Sequence, residues 1–128
     1  MSLSALKVLI VDNQITRLRI VRNLLAQIGI TAVDEAHDGH EALQKLTQGK
    51  YHLVLSEWSM VPMTGLELLQ CVRSDATYKH KEVAFFLVTS NYRQEHLIAA
   101  KTAGADCYIP RPFDAKILET KIKVSIKV

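Results

Sequence analysis

Five apolar segments of strand length alternate along this chain of 128 residues with five segments of helical periodicity. This alternation predicts an α/β fold with a parallel sheet and helices on both faces, because parallel strands must be joined by crossovers long enough to hold a helix. The strands are predicted at residues 6–11, 31–35, 51–57, 83–88 and 107–109, and the helices at about 16–28, 39–49, 64–74, 93–103 and from 114 onward. The second strand is short and is predicted at an edge of the sheet. A polar loop is predicted at 75–81.

The last segment, residues 121–128, has two interpretations. Its apolar and polar residues alternate, and this period of two is typical of a strand. One helical face would instead contain Ile117, Leu118, Ile122 and Ile126. A helix would also complete the fifth strand–helix unit, so we predict a helix that leaves some β-branched residues exposed. It is predicted to start at Asp114, a good N-cap residue.

The length of the chain is sufficient for one hydrophobic core, so residues 1–128 are predicted to form a single domain. Its apolar runs are far shorter than the roughly 20 residues that a membrane helix needs, and its first residues lack the features of a signal peptide. We therefore expect a cytoplasmic protein. Cys71 and Cys107 have no metal-ligand spacing, and His37 and His40 are expected on the surface.

The formal net charge is +3, which is mildly basic. Positive residues are frequent toward the C-terminus, at Arg111, Lys116, Lys121, Lys123 and Lys127. A solvated helix face is the simplest interpretation, and an acidic protein partner is an alternative. Nucleic acid is a weaker candidate, because the sequence has neither a glycine-rich phosphate loop nor a run of aromatic residues for stacking.

Polar side chains follow four of the predicted strands. Asp12 and Asn13 follow the first strand, and Glu57 ends the third. Thr89 follows the fourth strand and Arg111 the fifth. Because the carboxyl ends of parallel strands open onto one edge of the sheet, we expect these side chains around a single pocket. Buried charges must be paired, so Arg111 is expected to contact Glu57, Asp12 or both.

Several short motifs occur in an order that is more specific than any of them alone. They are Val8–Asp12, Arg19–Leu25, Asp38-Gly39 with Ala42-Leu43, Gly65–Leu69, Val88-Thr89, Ala103–Ala105 and Arg111–Phe113. Over residues 6–128 the chain resembles a response-regulator receiver domain of the single-domain CheY type. The resemblance implies a flavodoxin-like, doubly wound sheet of strand order 2-1-3-4-5 with five helices, and a role in two-component or chemotaxis signalling.

Such domains usually carry an acidic pair after the first strand, a phosphate-accepting aspartate after the third and a lysine before a proline after the fifth. The acids bind magnesium, which acts with the lysine during transfer from a phosphohistidine donor. By the same resemblance, Thr89 and Tyr108 match a switch pair, and Trp58 matches the CheY type. The Arg111-Pro112 bond corresponds to one that is commonly cis.

The chain departs from that pattern at three positions, which makes its phosphorylation site degenerate. Asn13 replaces the second acid, Glu57 the acceptor aspartate and Arg111 the lysine. Magnesium prefers anionic oxygen ligands, so binding through Asp12 and Glu57 is expected to be weak or absent, and no other cofactor is expected. A guanidinium suits a carboxylate partner, so an internal salt bridge is expected in place of metal and phosphate.

This substitution pattern leaves several interpretations open. The pocket could be a polar plug of the core, or Glu57 could imitate phospho-aspartate and draw Thr89 and Tyr108 into an active-like arrangement. An inactive-like lock is a third possibility. A mimic requires Glu57 to reach Thr89, whereas a plug leaves that hydroxyl turned away.

The predicted function is a non-enzymatic pseudo-receiver that binds protein partners independently of phosphorylation. The face formed by the fourth helix, fifth strand and fifth helix is the expected contact surface, with Tyr92, Arg93, Lys101 and Tyr108. Expected partners are a sensor kinase, a flagellar motor or output protein, or a second copy of the chain. The alternative is a functional phosphoacceptor receiver that takes phosphate from a histidine kinase with magnesium.

Overall fold

A five-stranded parallel sheet in the order β2-β1-β3-β4-β5 forms the centre of the molecule. The computed structural model describes residues 1–74 and 82–128, so the loop predicted at 75–81 lies outside the described residues. The strands are β1 (Lys7–Val11), β2 (Ala32–Ala36), β3 (Leu53–Glu57), β4 (Ala84–Thr89) and β5 (Cys107–Pro110). The predicted strand order and the edge position of β2 are both confirmed.

Five α-helices connect and follow the strands. They are α1 (Ile15–Gln27), α2 (Gly39–Gln48), α3 (Gly65–Ser74), α4 (Gln94–Ala103) and α5 (Ala115–Ile126). The described helix bounds agree with the predicted ones to within one or two residues. In the described ranges, every helix is too short or too polar to cross a membrane.

The ambiguous C-terminal segment is helical, and the strand alternative was wrong. The Asp114 carboxylate caps α5 by accepting a hydrogen bond from the Ile117 backbone N–H at 2.8 Å. Leu118 and Ile122, four residues apart, are buried, while Val124 is 74% exposed. The helix is more stable here because residues at this spacing lie on one helical face and can pack together against the sheet.

The two faces of the sheet carry separate hydrophobic cores. Alternate residues of β1, β3 and β4 point to opposite sides, and α1 and α5 cover one side while α2, α3 and α4 cover the other. All five residues of β3 are buried. A parallel strand that is covered on both faces has no solvent side, which explains why these strands read as nearly continuous apolar runs.

The strand register fixes where the polar side chains lie. Val11 pairs with Ser56 and Glu57 pairs with Val88, so the carboxyl ends of β1, β3 and β4 are side by side. Asp12 therefore follows its strand immediately beside Glu57, at the edge of the sheet where doubly wound folds bind ligands.

Candidate functional site

Two carboxylates lie buried at the ends of β1 and β3. Asp12 is 3% exposed and Glu57 is 2% exposed. A carboxylate at this depth is stable in its ionised form only if it is paired and hydrogen-bonded. The positive groups around them therefore decide what this edge of the sheet can do.

Arg111 contacts both acids, as the sequence predicted. Its Nε donates to Glu57 Oε1 at 3.2 Å and its Nη2 donates to Asp12 Oδ2 at 3.4 Å. The guanidinium thus bridges the two carboxylates with one hydrogen bond to each and does not form a bidentate pair with either of them. It is held there because its backbone N–H donates to Thr89 O at 2.7 Å. The Arg111-Pro112 bond is cis, as the resemblance implied.

A second guanidinium, that of Arg17, completes the site, and it was not among the residues predicted from the sequence. Its Nε donates to Asp12 Oδ2 and its Nη2 to Asp12 Oδ1, each at 2.8 Å, while the same Nη2 lies 3.9 Å from Glu57 Oε1. The hydrogen bonds with Asp12 raise the pKa of Arg17, although burial opposes the shift. The available signal was the short connection between β1 and α1, which places the first turn of α1 over the strand end.

The four groups form a balanced ion cluster, consisting of Asp12, Arg17, Glu57 and Arg111. Two negative charges face two positive charges. The residual cavity among them is about 10 Å³, which is room for about one water molecule. The geometry is that of a polar plug held by charge-assisted hydrogen bonds, which are stronger than neutral ones.

The magnesium ion that the resemblance implies does not fit these residues as they are arranged. A carboxylate offers about four lone-pair positions. Asp12 accepts four hydrogen bonds, from the Gln14 backbone N–H, twice from Arg17 and once from Arg111. No lone pair of Asp12 is left to coordinate a metal directly.

Asn13 does not join the pocket, which corrects the expectation that all five polar groups converge. Its side-chain nitrogen donates to the carbonyl oxygens of His37 at 2.7 Å and Val61 at 3.3 Å. Its Oδ1 accepts from the Val61 backbone N–H at 3.0 Å. The exposed amide therefore ties two loops together by satisfying their backbone groups, and it is not directed toward the acids.

Thr89 lies at the predicted strand end but is not bonded to Glu57 in the described structure. Its hydroxyl oxygen accepts from the Asn91 backbone N–H at 3.0 Å. The other carboxylate oxygen of Glu57, Oε2, accepts from the Ser59 backbone N–H at 3.1 Å. The contact that a phospho-aspartate mimic requires is thus missing from this conformation, whose geometry favours the plug.

Aromatic rings connect the site to α4 and β5. We call Trp58, Tyr92, His96 and Tyr108 the aromatic cluster. The Trp58 and His96 rings stack at 4.4 Å, and Tyr108 contacts the Trp58 ring at 5.6 Å and the Tyr92 ring at 5.0 Å. The Tyr108 hydroxyl accepts from the Arg93 backbone N–H at 3.4 Å. Tyr108 is therefore half-buried against Trp58, the residue that follows Glu57.

The strand order and the acids at the ends of β1 and β3 define the class of the molecule as receiver-like, and sequence comparison agrees. Residues 8–123 match the response regulator receiver domain. The chain belongs to this family.

Its relatives include chemotaxis regulators. It is 40% identical to the chemotaxis protein CheY of Pseudomonas aeruginosa over 118 residues, which are 92% of this chain and 94% of that protein. It is 39% identical to CheY-3 of Vibrio cholerae over 117 residues, which are 91% and 88% of the two chains. The solved structure of the Vibrio cholerae chemotaxis protein CheY4 is similar with a TM-score of 0.83 and 29% identity, covering 94% of this chain and 98% of that one. The chain is thus a receiver domain of the two-component and chemotaxis type.

Proposed function

We propose that this receiver domain is a pseudo-receiver, a cytoplasmic protein-interaction module that works without phosphorylation, enzymatic activity or a metal cofactor. The observation that supports this most directly is the state of Glu57. The side chain in the acceptor position is buried, and its carboxylate is already neutralised by Arg111 at 3.2 Å.

Phosphoryl transfer depends on positioning and on neutralising charge at the acceptor. Glu57 is one methylene longer than the usual aspartate, and a misplacement on the order of 1 Å can cost roughly 100-fold in rate. Both oxygens of Glu57 also accept hydrogen bonds, from Arg111 and from Ser59. Attack on a phosphoryl donor would require the loss of these contacts in a site whose metal ligand Asp12 is saturated.

The surface formed by α4, β5 and α5 is the contact face in this proposal. Tyr92 is 47% exposed and its ring lies against Tyr108, and Arg93 and Lys101 are exposed nearby. Tyrosine and arginine are enriched in binding hot spots. On α5 and its end, Lys116, Lys121, Lys123 and Lys127 are exposed. The face therefore suits an acidic surface of a sensor kinase, a motor or output protein, or a second copy of the chain.

Incubation with magnesium and acetyl phosphate, followed by intact-mass measurement, tests the absence of phosphorylation. We expect no gain of a phosphoryl group, because the acceptor carboxylate is already occupied by the ion cluster. A phosphoryl group on Glu57 would overturn the proposal. It would establish the alternative, a functional receiver that takes phosphate from a histidine kinase with magnesium.

Two variants control this measurement. The triple variant Glu57→Asp, Asn13→Asp, Arg111→Lys restores the usual residues of the family, and we expect it to gain a phosphoryl group if its circular dichroism is unchanged. Glu57→Gln, which has no carboxylate at the acceptor position, should gain none. If the triple variant also stays unmodified, other residues contribute to the block, and Arg17 is the first to replace.

A further inference from the structure

Arg17 contacts Asp12 more closely than Arg111 does. Both Arg17 bonds to Asp12 are 2.8 Å long, against 3.4 Å for the single bond from Arg111. We propose that Arg17 is the resident cation of the acidic pocket and that its guanidinium keeps divalent metal ions out. This inference deepens the proposed function and rests on it, since it explains how the pocket works without a metal.

Removal of the Arg17 guanidinium would free the ligands that a divalent cation needs. Asp12 Oδ1 would keep only the bond from the Gln14 backbone N–H, and Oδ2 only the bond from Arg111. One lone-pair position on each Asp12 oxygen would become available beside the Glu57 carboxylate. The net charge of the ion cluster would change from zero to −1. A negative pocket of carboxylate oxygens favours a hard divalent cation.

Arg17 also lines a neighbouring groove. Arg17 and Arg111 line both the cavity of about 10 Å³ among the acids and a groove of about 250 Å³ between α1 and the segment after β5. The rest of the groove is formed by Ile20, Leu24, Pro112 and Phe113. Because the Arg17 side chain lines both spaces, its truncation would enlarge the space beside Asp12 on the side of the groove.

The other two arginines of α1, Arg19 and Arg22, do not share this arrangement. Arg22 pairs with Glu35 at 2.8 Å, away from the pocket. Arg19 is exposed, with neither an ion pair nor a side-chain hydrogen bond to any part of the chain that the structure covers. Arg19 therefore provides a matched control on the same helix, since its replacement removes the same charge without touching Asp12.

The test measures metal binding by the purified protein, with Mn²⁺ alone as the probe. Free Mn²⁺ is followed by electron paramagnetic resonance, and Mg²⁺ is then added as a competitor while Trp58 fluorescence is recorded. We expect the wild type and Arg19→Ala to show no saturable site at millimolar metal. Arg17→Ala should bind one ion at least about tenfold more tightly, because a unit positive charge a few ångströms away has been removed. Arg17→Lys should remain close to the wild type.

Arg17→Gln is measured in parallel, because it removes the charge but keeps the first carbons of the side chain and a polar end, and it serves if Arg17→Ala does not fold. The inference is overturned if the wild type binds Mn²⁺ as tightly as Arg17→Ala and Arg17→Gln, or if neither of these two variants gains a site although it is folded. Wild-type metal binding without phosphorylation would overturn this inference and the metal-free part of the proposed function, but not its independence of phosphorylation. Phosphorylation of Glu57 would sink the proposed function, whereas the Arg17 variants would still report on metal exclusion.

Discussion

Arg111→Met is expected to lower the free energy of unfolding by about 3 to 5 kcal/mol, the range for removing one partner of a buried ion pair. Arg111 is 15% exposed and Glu57 is 2% exposed, so solvent cannot replace the lost contact. Glu57 would keep the Ser59 backbone N–H and a second guanidinium only at 3.9 Å. We expect the lower end of the range, because Asp12 retains Arg17. Urea denaturation near neutral pH, followed by circular dichroism, measures the change.

Arg93→Met provides the matched control for the loss of an arginine. Its pair with Glu95 is 4.0 Å long, and the side chains are 54% and 73% exposed. Exposed pairs contribute less than about 1 kcal/mol. The double variant Glu57→Met, Arg111→Met should recover part of the loss, because it removes both charges together. If Arg111→Met is no more costly than Arg93→Met, the ion cluster does not stabilise the fold, and the plug interpretation is wrong.

The fold could be predicted from the sequence because its physical signals are local and redundant. β3 is buried along its whole length, and its sequence is apolar from Leu53 to Leu55 before the buried polar residues Ser56 and Glu57. The end of α4 at Gly104 is equally clear, since its φ of 96° lies in the left-handed region that glycine adopts freely. The period-two alternation after Lys121 was misleading, because the buried positions of α5 are fixed by contact with the sheet.

The candidate site could be predicted only where the strand ends determine it. Asp12, Glu57 and Arg111 meet because the backbone register brings them together. Periodicity places Arg17 on the same side of α1 as Val21, four residues later, and leaves Arg19 exposed. It does not show that the Arg17 side chain reaches Asp12, because that depends on the distance from the first turn of α1 to the end of β1. Asn13 is the opposite case, a residue predicted in the pocket that does not lie there. Its amide hydrogen-bonds to backbone groups of two loops and does not point toward its neighbour Asp12.

The position of Glu57 depends on a close backbone contact as well as on charge. Gly65, the first residue of α3, packs against the end of β3, and its N–H donates to Trp58 O at 2.8 Å. A Cβ at Gly65 would lie 2.2 Å from Glu57 O and 2.9 Å from Leu87 Cδ2. The Glu57 backbone cannot easily move away from a larger residue at position 65, because β3 is hydrogen-bonded on both sides, to β1 and to β4.

Gly65→Ala is therefore expected to lower the free energy of unfolding by about 3 kcal/mol, at the upper end of the range for overpacking. The shift of Glu57 should also weaken its contact with Arg111 and change the fluorescence of the neighbouring Trp58. Gly49→Ala is the matched control, because its Cβ would meet the Tyr51 ring only at 3.6 Å, an ordinary contact distance. We expect that control to change the free energy of unfolding by less than about 1 kcal/mol. If both variants lose the same free energy of unfolding in urea denaturation, the backbone between β3 and α3 can move to accept the added methyl group. The position of Glu57 would then depend on its ion pairs alone.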